Sequence, residues 1–196
     1  MKYFILFLLF IFQIRGAHGQ STWEARAGIN DASFGSKNAD QGLQTTSKIS
    51  FYIGACVNLP VGRHFSITPG IEYAMQGGTV TDNSNFFVGN GNFSLQYIAV
   101  PIQLRYDLSS KIFFQTGPRA SILISAAVSE NGSTFHGTNG FSAIDYSWEM
   151  GAGLLLSKEI GIDFHYNLGI NSIYEANNIS DLKNRVFQAG LFYLFK

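Results

Sequence analysis

Apolar and polar residues alternate along eight stretches of the chain, which is the pattern of β-strands with one apolar face. In the second stretch, Ile49, Phe51 and Ile53 share one face, and Ser50 and Tyr52 share the other. Each stretch holds about ten residues or more, enough to cross a bilayer as a tilted strand. The predicted strands are 22–30, 48–59, 65–76, 95–106, 112–125, 145–157, 162–171 and 185–195.

The predicted connections alternate between short and long. The short ones are 60–64, 107–111 and 158–161. The long ones are rich in Gly, Asn, Ser and Thr and cover 31–47, 77–94, 126–144 and 172–184. Short periplasmic turns opposite long outer loops are typical of bacterial outer-membrane barrels. Because an open sheet would leave unpaired backbone groups in hydrocarbon, we predict an all-β fold, an eight-stranded antiparallel up-and-down transmembrane β-barrel.

Ionisable side chains on the polar faces indicate the direction in which those faces point. A soluble exported barrel that carries a small apolar ligand has the same period with its apolar face inside, so alternation alone leaves both arrangements open. Charges are costly in an apolar lumen but can pair in a polar one. We therefore predict an apolar face toward lipid and an interior polar network of Glu24, Arg26, Glu72, Arg105, Arg119, Glu149, Asp163 and His165.

Aromatic residues near the strand ends support the same orientation, because such residues form girdles at the two surfaces of an outer membrane. The predicted periplasmic girdle is Trp23, Phe65, Tyr106, Tyr193 and Phe195. The predicted outer girdle is Tyr73, Tyr146, Trp148 and Phe187.

The first residues have the form of a secretory signal peptide. Lys2 supplies a positive start, and residues 3–14 are mostly apolar over a length too short for a membrane-spanning helix. Ala17 and Gly19 place small residues ahead of a cleavage site before Gln20. We predict a signal peptide over 1–19, and an outer-membrane barrel domain over 20–196.

Composition argues against several classes of function. Charged residues make up 13% of the chain and the formal net charge is zero, so no basic field directs the protein toward nucleic acid. The single cysteine, Cys56, cannot form an internal disulfide and is interpreted as a small core residue. His64, His136 and His165 lack the spacing of metal ligands, and no phosphate-binding motif is present. We predict no metal and no cofactor.

The fourth predicted strand resembles that of a known family. It reads Tyr97-Ile98-Ala99-Val100-Pro101-Ile102-Gln103-Leu104-Arg105-Tyr106. This is similar to the Tyr-Leu-Glu-Ile-Pro strand ending in Lys-Tyr of the PorT-like outer-membrane β-barrels of Bacteroidetes, with Ala99 where the family often has an acid. Small barrels of the OmpA and OmpX type are a looser match. The resemblance implies an outer-membrane location and no enzyme activity, and one branch of the family takes part in protein secretion.

The interior network is predicted to be structural, because side chains fill the interior of an eight-stranded barrel. A narrow polar conduit is the alternative. His165 beside Asp163 raises a second alternative, a lipid-modifying enzyme of the outer membrane. That chemistry needs a nucleophile and an oxyanion pocket facing lipid or the outer rim, whereas an inward histidine faces neither. We therefore predict no catalytic residue.

The long outer connections are the best candidates for contact with other molecules. Phe86, Phe87 and Phe93 lie on the second of them and are candidate contact residues, with packing over the barrel mouth as the alternative. We expect a monomeric, non-enzymatic barrel surrounded by outer-membrane lipid. Its loops or periplasmic rim would serve partner binding, secretion support or envelope integrity, the partner being another envelope or secretion protein.

Overall fold

The computed structural model of the chain describes residues 20–35, 43–82, 91–130, 133–173 and 182–195. The predicted signal peptide, Phe86 and Phe87 lie outside these residues. The strands are β1 (Thr22–Gly35), β2 (Leu43–Pro60), β3 (Phe65–Asp82), β4 (Gly91–Asp107), β5 (Ile112–Glu130), β6 (Ser133–His136), β7 (Ile144–Leu155), β8 (Ile160–Gly169) and β9 (Lys183–Phe195). Within the described ranges, no helix is long and apolar enough to cross a membrane.

Eight of these strands form a closed antiparallel ring. Neighbours along the chain pair with one another, β5 pairs with β7, and β9 returns to β1 with Trp23 opposite Phe195. The remaining strand, β6, pairs with the outer end of β5 in a hairpin. The predicted fold, an eight-stranded antiparallel β-barrel, is confirmed.

The three short turns share one backbone hydrogen-bond pattern, and in two of them a serine supports it. In each, the first backbone N–H after a strand donates to the carbonyl of the first residue of the next strand, as from Leu108 to Ile112 at 3.0 Å and from Leu156 to Ile160 at 2.9 Å. The hydroxyl oxygens of Ser109 and Ser157 also accept hydrogen bonds from the backbone N–H groups of Ile112 and Ile160. Serine favours such turns because its side chain can bond nearby backbone.

The strands on one side of the barrel extend further outward than predicted. β2 and β3 have 18 residues each, β4 has 17 and β5 has 19, whereas β7 has 12 and β8 has 10. The outer ends of these strands lie above the lipid, where they still pair through the backbone but need no apolar outer face. Alternation of apolar and polar residues therefore does not mark them. Phe93 was therefore wrongly placed on a loop, since it lies in β4.

The apolar faces of the strands point outward, as predicted. Large apolar residues such as Ile53, Ile71 and Leu191 are more than half exposed on the outer surface of the ring. All members of the predicted periplasmic girdle are exposed, and the rings of Phe65 and Tyr106 lie 5.0 Å apart between centroids. A soluble carrier with this face turned inward is thus excluded.

Three prolines interrupt the backbone ladder of the barrel wall. Pro69, Pro101 and Pro118 lie on three consecutive strands, and each falls in a gap in the pairing with the preceding strand. Proline has no N–H to donate, which explains the gaps. The register is the same on both sides of each gap, so together the prolines form a diagonal seam across β3, β4 and β5.

The outward orientation predicts a depth-dependent response to charge on the wall. Leu191 faces lipid between the girdles, and Leu191→Arg should lower the free energy of unfolding by about 2–4 kcal/mol. Phe195→Arg, at the periplasmic girdle, should lower it by about 0–1 kcal/mol. Urea titration of protein refolded into phospholipid vesicles measures both, and equal effects of the two variants would contradict the assigned depth.

Candidate functional site

The lumen of the barrel holds a continuous chain of charged side chains. At its periplasmic end, Arg105 lies 3.6 Å from a carboxylate oxygen of Glu24, and its Nε donates to Asp107 at 2.9 Å. Glu24 also accepts from Arg26 at 2.6 Å, and Arg26 lies 4.0 Å from Asp163. Apart from that of Asp107, these side chains are buried, so pairing replaces the water they lack.

The chain of contacts continues through the middle of the barrel. The two ring nitrogens of His165 lie 3.3 Å from Asp163 and 2.9 Å from Glu149. Glu149 also accepts from Arg119 at 3.1 Å, and Arg119 reaches Glu72 with its other terminal nitrogen. An imidazole placed between two carboxylates can donate to both only when it is protonated. The structure brings all eight predicted interior residues into this one chain.

Neutral side chains donate further hydrogen bonds to the carboxylates of the chain. Tyr52 donates to Asp163 at 3.1 Å, Asn58 donates to Glu24 at 3.2 Å, and Gln188 donates to Glu72 at 3.1 Å. Gln103 donates to Glu149. Each of these hydrogen bonds offsets part of the cost of burying a carboxylate, so the Tyr52 hydroxyl and the three amides help to hold the carboxylates in position.

Glycines on the polar face make room for the large interior side chains. A Cβ atom at Gly151 would lie 2.5 Å from Nδ1 of His165, and one at Gly153 would collide with the ring of Phe113. Phe113 in turn stacks under Arg105, whose guanidinium carbon is 3.5 Å from the ring centroid. Such a contact is an attractive cation–π interaction. Alternation predicts that these glycines lie on the polar face. It does not show that the missing side chains leave room for His165 and Phe113.

An apolar cluster fills the outer end of the lumen above the charged chain. We call it the outer plug, and its buried members are Phe34, Val80, Phe93, Leu95, Tyr97, Leu123, Ala126, Ile173 and Leu182. Phe93 is only 7% exposed and packs edge-on against Phe34, at 5.8 Å between ring centroids, and against Phe141 at 6.1 Å. The predicted contact residue Phe93 is thus turned inward, and packing at the barrel mouth is what is observed.

A bulge in β5 explains why the inward position of Ala126 in the outer plug does not follow from alternation. Tyr97 pairs with Leu123, but its neighbour Gln96 pairs with Ser125, so Ile124 is an extra residue. Below the bulge odd-numbered residues of β5 face the lumen, and above it Ala126 does. A single inserted residue reverses the inward face, which strict alternation cannot detect.

The surroundings of His165 bear on the lipid-modifying alternative. Its polar neighbours are Glu149, Asp163 and Gln103, the last at 3.5 Å, and in the described part of the chain its ring makes no hydrogen bond to a hydroxyl. No group of three or more His, Cys, Asp or Glu residues arranged for a metal ion is found among those residues either. Cys56 is buried beside Arg26, whose guanidinium lies 3.2 Å from its sulfur.

Comparison with known families places the barrel among outer-membrane proteins. Residues 13–175 match the family model described as the outer membrane protein beta-barrel domain. Comparison with curated proteins gives no match.

Solved structures with the same architecture are also outer-membrane barrels. Ail, the attachment invasion locus protein of Yersinia pestis, is 12% identical with a TM-score of 0.56 over 90% of this chain and 100% of that one. Neisserial surface protein A is 15% identical with a TM-score of 0.57, again over 90% and 100%. OprG from Pseudomonas aeruginosa is 14% identical with a TM-score of 0.50 over 91% and 98%. At such low identity the likeness shows the fold alone.

Removing the central cation of the chain should be strongly destabilising. Arg119→Met leaves Glu72 and Glu149 without their shared partner and should lower the free energy of unfolding by about 3–5 kcal/mol. The triple variant Glu72→Gln, Arg119→Met, Glu149→Gln removes the charges together and should recover most of that loss. Urea titration in vesicles measures both, and a stable single variant would contradict a structural network.

Truncating the outer plug should also destabilise the barrel. Phe93→Ala removes a buried ring and should cost about 3–5 kcal/mol. Phe135→Ala, at a ring that is 66% exposed on β6, is the matched control and should change stability by less than about 0.5 kcal/mol. If both variants unfold at the wild-type urea concentration, Phe93 does not contribute to the packing described.

Proposed function

Because the chain belongs to the outer membrane protein beta-barrel domain family, we propose that it is a non-enzymatic, non-conducting barrel that presents its outer end to another macromolecule. Its place is the outer membrane. The observation that carries the proposal is a contrast: side chains fill the lumen, whereas the strands on one side of the barrel extend further outward than those on the other. The closed ring has no free edge within the membrane, which supports a monomer.

The filled lumen argues against a conduit. An ion would have to displace Arg119 from Glu72 and Glu149, and then pass Phe93 and Phe141 in and beside the outer plug. The first step breaks buried ion pairs and the second crosses an apolar region. Each is costly, so conduction is not expected.

The position of His165 argues against the lipid-modifying enzyme. Its ring lies inside the barrel between two carboxylates, and the outer plug lies between the charged chain and the outer surface. A membrane lipid therefore has no access to it. A general base must come within hydrogen-bond reach of its substrate, and this one does not.

The extended wall favours the outer end over the periplasmic rim as the place of contact. β2 has 18 residues against 12 in β7, a difference that corresponds to about 20 Å of strand. At the tip, all four residues of β6 are exposed, and Phe135 is 66% exposed. A hydrogen-bonded sheet holds such a surface in a fixed position, as binding surfaces require. Ail, named for attachment and invasion, has the same fold.

The finer family assignment is part of this proposal. We propose membership of the PorT-like branch of Bacteroidetes on the strand motif in β4. Its alternate residues Tyr97, Ala99, Gln103 and Arg105 face the lumen, where Gln103 and Arg105 bind Glu149 and Glu24. The motif therefore supports barrel construction, and it does not by itself specify secretion support.

Photo-crosslinking in intact cells separates the two ends of the barrel. A photo-crosslinking phenylalanine analogue at position 135 should give a discrete protein or polysaccharide adduct. The same analogue at position 61, exposed in the periplasmic turn after β2, should give none. Heat-modifiable migration on SDS gels shows that each variant still forms a closed barrel.

Two results would contradict the proposed function. Adducts from position 61 alone would place the partner at the periplasmic rim. Discrete conductance steps from purified protein in planar bilayers, at a level above bare lipid and lost on substitution of Arg119, would restore the conduit.

A further inference from the structure

One buried carboxylate in the lumen has no counter-charge. In the charged chain, the guanidinium groups of Arg26, Arg105 and Arg119 and a protonated His165 balance the four buried carboxylates, which are Glu24, Glu72, Glu149 and Asp163. Asp145 is an additional acid that is only 2% exposed and makes no ion pair within the described residues. Its Oδ2 accepts one hydrogen bond, from Asn184 at 2.8 Å, and its Oδ1 has no partner there.

The nearby guanidinium is already engaged. Arg119 lies on β5 two residues before Ser121, and both side chains point inward. Ser121 is the direct cross-strand partner of Asp145. Both terminal nitrogens of Arg119 are bound, one by Glu72 and the other by Glu149. The charge of Asp145 is therefore left over from the network that neutralises the other acids.

Two further oxygens beside Asp145 also lack partners in the described structure. The hydroxyl of Ser121 is 1% exposed and unbonded, and the amide oxygen of Asn184 is 2% exposed and unbonded. Because Ser121 and Asp145 are directly opposed and both point inward, their Cβ atoms are about 5 Å apart. Other buried polar atoms in the described lumen also lack a partner, such as Oε1 of Gln103 and Oδ1 of Asn167, but here three such oxygens occur together, one of them on the uncompensated carboxylate.

The outer plug closes this group from the extracellular side. Leu123 is the next inward residue of β5 above Ser121, and its cross-strand partner on β4 is Tyr97. An isolated carboxylate beneath such a cover is poorly solvated and has to be neutralised. Either a proton or a bound cation can do this.

We propose that Asp145, Ser121 and Asn184 bind a sodium ion. Carboxylate, hydroxyl and amide oxygens are the ligands that hard cations prefer. A single uncompensated carboxylate matches a monovalent charge, whereas a divalent ion here would leave the lumen with excess positive charge. The ion completes the charge balance of the lumen and joins the middle of β5 to the outer ends of β7 and β9.

Sodium-dependent stability tests the site. Wild-type protein and Asp145→Asn are refolded into phosphatidylcholine vesicles, and sodium chloride is exchanged for N-methylglucamine chloride at constant ionic strength. Above the dissociation constant, the unfolding constant of the wild type should fall about tenfold for each tenfold rise in sodium. That of Asp145→Asn should not change. Asp107→Asn, which alters a partly exposed carboxylate at the periplasmic rim, is the matched control and should retain the wild-type response.

A wild-type unfolding constant that is independent of sodium would overturn the proposal. An infrared band of a protonated carboxyl that is lost in Asp145→Asn would then identify the proton as the neutralising ion. If Asp145→Asn does not refold, Ser121→Ala keeps the carboxylate and removes one oxygen. It should shift the sodium response to higher concentrations, and an unshifted response would equally overturn the site.

Discussion

Charge pairing across the lumen joins walls of the barrel that backbone pairing does not connect. Arg119 on β5 binds Glu149 on the neighbouring strand β7 and also Glu72 on β3, two strands away in the other direction. Lipid surrounds the outside, so polar side chains have only the lumen in which to find partners. Interior glycines, inward amides and the outer plug are arranged around this chain, which explains how a chain with few charged residues can concentrate them at its centre.

Alternation predicted the wall because every membrane-crossing strand has lipid on one side. It failed where lipid no longer imposes that constraint. Phe93 faces inward on a strand above the membrane, and β6 is a short, wholly exposed strand without an apolar face. Phe113 is an aromatic residue on the polar face, and its place inside depends on Gly153 across the strand pair. Whether a large side chain fits inside depends on the residues opposite it on neighbouring strands, and the sequence of a single strand does not show these residues.

The members of the lumen network could be predicted, but their partners could not. Pairing depends on register and on the direction of long side chains. Arg26 contacts Glu24 on its own strand, for example, but it also contacts Asp163 on β8, two strands away around the ring. In the sequence, Asp145 is one acid among several. Its isolation becomes visible only when the partners of every other charge have been assigned.

The proline seam has a mechanical consequence. Pro69, Pro101 and Pro118 place the gaps of three successive strand pairs along one diagonal, while the register continues unchanged on either side. Along that line the wall has fewer hydrogen bonds to resist bending, so its stiffness is lower in one direction than in the other. The gaps are thus the places where this side of the wall can bend with the fewest backbone hydrogen bonds to break.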